Sequence, residues 1–353
     1  MTQLQFDLDD SAPSAPIAPS AAKASNALTP SVTPTKASTA VAQQPQETDM
    51  NFDEMANRLS AHPDYKVKRR LVPILHFGPG TGGPTKRILI LDTETTGLDW
   101  RNESIIELAM LAVDVDLQTG QPVGEVEVYE DFEDPGRLIP PEIVKLTGIT
   151  QKDVKGQKLN EATIQDMVSR ADLIVAHNAG FDRPFVENRL EVFQHKAWAC
   201  SFQGIDWKAQ GLGSAKLEFL CSELGWFYDA HRAQVDCHAL LRVLASSLKN
   251  EGSNEQITGL QQLFKAAENA RTVVKAYGSP FETKDKLKAR GYRWDGESKV
   301  WYTAVKSAEA LDAEAAWLKS EVYGGRAARI GLETQDAFVQ FSSRSGKSGD
   351  RVL

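Results

Sequence analysis

The stretch that decides the fold is RILILDTETTGLD, residues 87–99. Its first five residues predict a buried strand, because four of them are large and apolar. Asp92 and Glu94 follow at the end of that strand, and side chains two positions apart in a strand point to the same face. Two neighbouring carboxylates repel each other and are costly where they are partly buried. The pattern therefore predicts a cation between them.

Two later segments also place polar side chains where a strand or loop meets a helix. HNAGFDRPF, residues 177–185, carries Asn178 and Asp182. In HRAQVDCH, His231 lies in a predicted loop and Asp236 begins a predicted helix. Carboxylates collected from separate segments, with no Cys or His ligand set, suit hard cations such as Mg²⁺ or Mn²⁺.

Four such carboxylates balance the charge of two divalent ions. Two ions about 3.5–4 Å apart stabilise the attacking and leaving oxygens of an in-line phosphoryl displacement. His231 is the predicted base, because histidine titrates near neutral pH. Simpler interpretations exist, with Asn178 as a helix cap and with Asp182 and Asp236 as first-turn acids favoured by the helix dipole. The joint occurrence of all these residues favours a phosphodiester-cutting site.

DTETTGLD, HNAGFD and HRAQVD, in this order, resemble the three motifs of the DEDDh 3′–5′ exonucleases. That group belongs to the ribonuclease H-like superfamily and includes the proofreading epsilon subunit of bacterial replicases. The resemblance covers residues 86–250 and implies an α/β fold with a mixed five-stranded sheet flanked by helices. Strands expected at 87–93, 105–115 and 124–132, followed by a mixture of helices and strands, indicate a mixed sheet independently.

The resemblance also implies a role for each residue. Asp92, Glu94 and Asp236 would ligate the Mg²⁺ ion beside the scissile phosphate. Asp92 and Asp182 would help to hold a second Mg²⁺, Mn²⁺ would be able to substitute, and His231 would be the general base. The predicted substrate-binding residues are Thr95, Leu98, Asn178 and Phe181. The first two would meet the 3′-terminal nucleotide.

Differences in composition divide the rest of the chain into predicted domains, linkers and tails. Residues 11–48 are dominated by Ala, Pro, Ser and Thr and lack the large apolar residues that offset the entropy of ordering. The predicted organisation is a disordered tail at 1–50, a lead-in helix and strand at 51–85, the exonuclease domain at 86–250, a linker at 251–270, a small α+β domain at 271–325 and a flexible tail at 326–353.

The small domain contains PFETKDKLKARGYRWDGESKVWY, residues 280–302. From Lys275 to Lys306 there are eight Lys or Arg and four acids, with aromatic residues between them. Cations for phosphates and rings for bases suit single-stranded nucleic acid, although the tryptophans are equally able to form the core of so small a domain. The pattern resembles a small domain of unknown function that recurs in proteins of DNA metabolism and mobile elements. The predicted nucleic-acid-binding residues are Lys288, Arg290, Arg293, Trp294 and Trp301.

The N-terminal peptide QLQFDL, residues 3–8, resembles bacterial sliding-clamp-binding motifs. On a flexible tether, such a peptide gains effective concentration once it has docked. The net charge of −8 excludes a protein coated in basic surface, although not one with a local basic groove. The chain shows no signal peptide and no apolar run of membrane-spanning length, which predicts a cytoplasmic protein without a membrane partner.

Taken together, the sequence predicts a two-metal 3′–5′ exonuclease that releases 5′-mononucleotides from DNA in proofreading, replication or repair. The predicted partners are DNA and a sliding clamp or a DNA polymerase. Two alternatives stay open. One is a 3′–5′ exoribonuclease, because the motifs do not distinguish the sugars. The other is an exonuclease-fold binding module in a replication or repair assembly.

Overall fold

The computed structural model describes residues 51–249 and 256–353. The predicted tail at 1–50 and the clamp-binding peptide at 3–8 lie outside the described residues. Within the described ranges, every helix is too short or too polar to span a membrane.

The first helix, α1 (Phe52–Ser60), belongs to the N-terminal of two units. Asn51 caps it, since its side-chain oxygen accepts the N–H groups of Asp53 and Glu54 at 3.1 and 3.2 Å. None of its residues is buried. All other described elements lie in the second unit, which runs from Lys68 to Leu353 and contains two larger sheets.

The strands are β1 Arg69–Arg70, β2 His76–Phe77, β3 Thr85–Thr95, β4 Ile105–Asp116, β5 Pro122–Phe132, β6 Leu173–Ala176, β7 Trp198–Cys200, β8 Trp226–Phe227, β9 Ser247–Lys249, β10 Gln256–Thr258, β11 Arg271–Ala276, β12 Arg293–Asp295, β13 Val300–Val305, β14 Arg329–Gln335 and β15 Lys347–Val352. The further α-helices are α2 Pro141–Thr147, α3 Gln151–Val154, α4 Glu161–Arg170, α5 Ala179–Arg189, α6 Ser201–Gly204, α7 Leu217–Glu223, α8 Ala233–Leu244, α9 Gly259–Glu268, α10 Lys284–Ala289 and α11 Ala308–Trp317. Short 3₁₀ turns span Glu191–His195 and Phe281–Thr283, and a π-helical turn spans Leu318–Val322.

The first sheet has the strand order β2-β5-β4-β3-β6-β7. The strands from β2 to β3 pair antiparallel, whereas β6 and β7 run parallel to β3. The predicted mixed α/β sheet is confirmed. The two-residue strand β2 extends its edge beyond the five strands that were expected.

Both faces of β3 are covered by helices. Ile88 and Ile90 pack in a core with α7, α8 and α9, whereas Leu89 and Leu91 pack in a second core with α4 and α5. All four side chains have no exposed surface. This two-sided burial accounts for the unbroken apolar run. Because side chains alternate along a strand, the acids at the end of β3 continue on the α8 side.

The predicted linker at 251–270 is wrong for its described part. Residues 256–268 form β10 and α9, and Thr258 begins α9 with a capping box. Leu260, Leu263 and Phe264, at helical spacing, are buried in the core beside α8. This segment therefore completes the first sheet's helical layer.

The predicted flexible tail at 326–353 is also wrong. The second sheet has the order β12-β13-β11-β14-β15, all antiparallel, so the tail supplies two of its five strands. Ile330 of β14 is fully buried in the core with α10 and α11. By contrast, β15 is an exposed edge strand, and its only large apolar side chain is Val352.

Candidate metal centre

Three carboxylates meet where β3 ends. Asp92 and Glu94 lie on the α8 side of the strand, and Asp236 stands in the first turn of α8. One carboxylate oxygen from each lies within 4.8 Å of the others, and each side chain is half-buried. The predicted grouping of these residues is therefore present in the structure.

Asp182 approaches from the opposite face of the strand. It lies in the first turn of α5 and is only 2% exposed. Its Oδ1 accepts hydrogen bonds from the backbone N–H of Thr93 at 3.1 Å and from the Thr93 hydroxyl at 2.8 Å. Since Thr93 stands between Asp92 and Glu94, these bonds tie α5 to the acidic strand end.

The site is electrostatically strained without a cation. Burial, reinforced by the neighbouring acids, raises the pKa of Asp92 and the pKa of Glu94 well above their usual range. Burial raises the pKa of Asp182 to about 7 and that of Asp236 to about 6. A divalent cation would reverse these shifts, and the donors are all oxygens. The residues present therefore fit Mg²⁺ or Mn²⁺.

His231 lies two residues before α8 in the left-handed region, with φ of 66°, which is uncommon for a residue other than glycine. Its backbone N–H donates to Asp236 Oδ2 at 2.9 Å, and that of Arg232 donates to the same oxygen at 3.2 Å. The Tyr228 hydroxyl donates to Asp236 Oδ1 at 3.0 Å. The loop that carries the half-buried His231 is thus fixed to the metal-facing carboxylate.

Glu107 is a part of the site that sequence reasoning missed. It lies opposite Glu94 in the β3–β4 register and has no exposed surface. Its carboxylate accepts two hydrogen bonds from the Arg232 guanidinium, at 3.0 and 2.8 Å, and one from the N–H of Ala233 at 2.9 Å. It therefore anchors the start of α8. The available signal was a lone acid inside the apolar run IIELAMLAV, which requires a partner when buried.

The predicted substrate-binding residues Thr95, Leu98 and Phe181 differ in how far they are exposed. Thr95 is buried, and its hydroxyl donates to the carbonyl of Gly97 at 2.6 Å, which stabilises the turn before Leu98. Leu98 is 39% exposed. Phe181 is half-buried, with its ring centroid 5.1 Å from that of Phe185.

Asn178 occupies the N-cap position of α5 with φ of 73°, a left-handed conformation that asparagine tolerates. Its side chain makes no capping hydrogen bond to the described residues of α5, so the simple capping interpretation is wrong. The residue instead turns the chain sharply from β6 into the helix that carries the buried acid.

The predicted nucleic-acid-binding residues are divided between two faces of the second sheet. Trp294 and Trp301 lie opposite each other in β12 and β13, with ring centroids 5.4 Å apart, on the face toward α10 and α11. Arg293 points to the other face because side chains alternate. Arg290 forms an ion pair at 3.1 Å with a carboxylate of α11, and Lys288 is exposed on α10.

The second sheet is attached to the helix that carries the buried acid. Arg183 of α5 has no exposed surface. Its guanidinium donates to the carbonyl oxygens of Ala337, Phe338 and Gln340 at 3.1, 2.5 and 2.6 Å, and to Glu187 at 2.7 Å. These carbonyls belong to the loop between β14 and β15. The C-terminal segment is therefore part of the support of this site.

Residues 89–244 match the RNase_T family model, described as exonuclease. The chain is similar to a DNA polymerase III PolC-type of Streptococcus agalactiae serotype III (strain NEM316), with 28% identity over 191 residues, 50% of this chain and 12% of that protein. A protein of the same name from Listeria welshimeri is 34% identical over 122 residues, 34% of this chain and 8% of the relative. The chain thus spans about an eighth or less of the length of these relatives.

Two solved structures are also similar. A structure of exonuclease I shares 23% identity, covers 45% of this chain and 40% of its own, and has a TM-score of 0.36. The zinc-bound E. coli ExoI–ssDNA complex shares 17% identity, covers 65% of this chain and 67% of its own, and has a TM-score of 0.41.

Proposed function

Because residues 89–244 match the RNase_T exonuclease family model, we propose that this protein is a DEDD-type, divalent-metal-dependent 3′–5′ exonuclease acting on DNA, with the fold of the ribonuclease H-like superfamily. The observation that carries the proposal is the grouping of Asp92, Glu94 and Asp236, with one carboxylate oxygen of each within 4.8 Å of the others. The buried Asp182 beside them supplies a fourth acid. The product would be 5′-mononucleotides.

Asp92, Glu94 and Asp236 would hold one ion, and Asp92 with Asp182 a second. When bound, such ions stabilise the charge that develops on the attacking and leaving oxygens. The hydrogen bonds from Tyr228 and from the His231 backbone keep the Asp236 carboxylate directed at the site. The all-oxygen donor set favours Mg²⁺, with Mn²⁺ as a substitute.

His231 would act as the general base, which makes the enzyme one of the DEDDh type. An imidazole in its neutral form is able to accept the proton of the attacking water. Leu98 and Phe181 offer apolar surface to the terminal nucleotide, and Asn178 shapes the chain beside it. The relatives named as DNA polymerases favour a role in proofreading, replication or repair, with a polymerase or a sliding clamp as partner.

The test is digestion of 5′-labelled DNA and RNA of one sequence, with Mg²⁺ or EDTA, by the wild type and Asp92→Asn. The matched control is Asp166→Asn, whose carboxylate is 65% exposed on α4. We expect a Mg²⁺-dependent ladder that shortens from the 3′ end in the wild type and control and is absent in Asp92→Asn. Faster shortening of RNA would favour the exoribonuclease. No shortening with either Mg²⁺ or Mn²⁺ would favour the binding module.

A further inference from the structure

The two faces of the second sheet differ in what covers them. Val274 and Ala276 of β11 are buried beneath α10 and α11. The strand register places Arg293 opposite Tyr302, and Tyr302 opposite Lys275, on the other face. The same alternation puts Arg271 and Lys306 on that face, at the far ends of β11 and β13. We call Arg271, Arg293, Tyr302 and Lys306 the open face.

The open face carries cations that are not all compensated, although Asp295 and Glu333 lie on the same face of the sheet. Arg293 and Lys306 are exposed and form no ion pair with any residue that the structure describes. Lys275, their neighbour, is neutralised by Glu333 at 2.7 Å and is therefore left out of the open face. Arg271 is half-buried, lies over the ring of Phe341 at 4.9 Å and adds a third positive charge.

Two cations on the helix-covered face are already paired. Lys286 contacts Glu321 at 3.0 Å, and Arg290 contacts Glu314 at 3.1 Å. Trp301 is half-buried in the core with the helices.

The exposed Lys288 and Lys319 of the helix-covered face form no ion pair with any described residue, so the two faces differ in position rather than in free charge alone. Arg271 and Lys306 of the open face line a cavity beside β7.

A cavity of about 520 Å³ separates one end of the open face from β7. Arg271 and Lys306 line it from the second sheet, Lys265 from α9 and Cys200 from β7, and none of its described lining residues is acidic. The volume is that of a small-ligand site. Phosphate groups fit such a lining by charge.

The cavity lies toward the same ends of the parallel strands as the metal centre. Ile90, Val175 and Ala199 are in register across the parallel strands β3, β6 and β7. Cys200 therefore lies at the same ends of the strands as Asp92, about 10 Å away across two strand spacings.

The other end of the open face reaches the turn that follows β3. Arg101, three residues after Leu98, contacts Glu297 in the β12–β13 turn at 3.2 Å. Arg293 begins β12, the strand that leads into that turn. The second sheet therefore meets the first at the loop after Leu98 and at the cavity beside β7.

We propose that the open face and the β7 edge form a cleft that binds the single-stranded DNA leading to the metal centre. The cations contact phosphates, and Tyr302 provides a ring on which a base stacks. This inference rests on the proposed function for its substrate. It keeps Arg293 of the predicted nucleic-acid-binding residues and moves the aromatic contact from the Trp294–Trp301 pair to Tyr302 on the opposite face of the same strands.

The test compares two double variants of equal charge change in the full chain. Arg293→Glu/Lys306→Glu alters the open face, and Lys288→Glu/Lys319→Glu alters exposed lysines on the helices of the other face. Anisotropy of a labelled DNA strand of about 20 nucleotides, in EDTA at several salt concentrations, measures affinity. We expect the open-face variant to bind about tenfold or more weakly, with a salt slope reduced by about 1.4, because each single-strand phosphate contact contributes about 0.7. The control should stay within about twofold of the wild type.

A second experiment distinguishes a loss of DNA binding in the cleft from a loss of activity at the metal centre. Hydrolysis of the p-nitrophenyl ester of thymidine 5′-monophosphate needs only the metal centre, and we expect both double variants to retain it. Unchanged DNA affinity in the open-face variant would overturn the proposed cleft, and so would an equal loss of affinity in the control. A third variant, Trp294→Ala, tests the other face, and a loss of affinity in that variant alone would also overturn the cleft. A wild type that leaves both ester and DNA intact would refute the proposed function, while the binding measured in EDTA would still decide the cleft.

Discussion

Asp182 links the protonation of one side chain to the stability of the protein. Burial raises its pKa to about 7, whereas an aspartate in an unfolded chain has a pKa near 3.9 (about that of a model peptide). Between these values the folded protein keeps a proton that the unfolded chain has lost. The free energy of unfolding of the metal-free protein therefore falls as pH rises through this window. Asp92 and Glu94, whose pKa values are also raised by burial, act in the same direction.

In EDTA, we expect the Tm to fall as the pH is raised from about 5 to about 7. Mg²⁺ should raise the Tm more at the higher pH, since it binds the ionised acids. Asp182→Asn should flatten the fall, whereas Asp166→Asn on the surface should not. Thermal scans at each pH check this. A Tm that rises with pH in EDTA, or an equal slope in Asp182→Asn, would contradict it.

Glu107 is a single buried acid on which the start of α8 depends. Glu107→Gln leaves the shape nearly unchanged but removes the charge that holds Arg232 and the N–H of Ala233. Because Arg232 is itself partly exposed, we expect a loss of about 2 kcal/mol, below the range for a fully buried pair. Urea unfolding measures it.

The matched control for Glu107→Gln is Glu130→Gln, the other carboxylate near Arg232, at 3.5 Å and 30% exposed. It should cost less than about 1 kcal/mol. Equal losses of unfolding free energy in the two variants would show that the burial of Glu107 adds nothing to the stability of the protein.

At the scale of elements, α5 joins the acidic site to the second sheet. Asp182 faces the end of β3, and the next residue, Arg183, holds three carbonyl oxygens of the β14–β15 loop. Glu187, one turn later, also binds Arg344 at 3.0 Å and the Ser342 hydroxyl. One helix therefore carries the acid and the attachment of the C-terminal strands.

We expect Arg183→Met to lower the free energy of unfolding by about 3–5 kcal/mol, because it leaves buried carbonyls and Glu187 short of a partner. Arg170→Met on α4, which removes partly exposed ion pairs with Asp166 and Glu127, should cost less than this, about 1 kcal/mol. Urea denaturation of both variants gives the comparison. Similar costs would mean that the loop carbonyls are satisfied without Arg183.

At the scale of the whole molecule, the two sheets of the unit from Lys68 to Leu353 share polar and backbone contacts. Trp198 of β7 donates its backbone N–H to the carbonyl of Ala337 at 2.9 Å, so the C-terminal loop also covers the edge of the first sheet. A sheet edge left bare exposes unpaired backbone groups. The second sheet is thus built into the support of the first.

We expect this unit to unfold in one cooperative transition, with equal calorimetric and van't Hoff enthalpies. A chain that ends after Gly325 loses β14, β15 and the loop that binds Arg183, and we expect it to fail to reach a cooperative fold. Differential scanning calorimetry of both chains checks this. Two separate transitions in the full chain, or native-like unfolding of the shortened one, would show that the sheets are independent.

By itself, the sequence predicted the first sheet and the grouping of acids at the end of β3. Asp92, Glu94, Asp182, His231 and Asp236 were predictable because each stands at a junction that local patterns mark, and their order in the chain matches a known set of motifs. The buried strand β3 was predictable because two-sided burial leaves an unbroken apolar run.

Only the tertiary structure decided what supports that centre. The partners Glu107 and Arg232 are 125 residues apart, and nothing local pairs them. Strand β15 has a single large apolar side chain, Val352, so it carries no hydrophobic alternation, and its pairing depends on β14 being in place. Local patterns indicate which residues of a segment are buried. Which side of the second sheet faces the first sheet depends instead on contacts made by distant segments. That is why the sequence pointed to Arg293 together with Trp294 and Trp301, whereas Arg271 and Lys306 entered the proposal only from the fold.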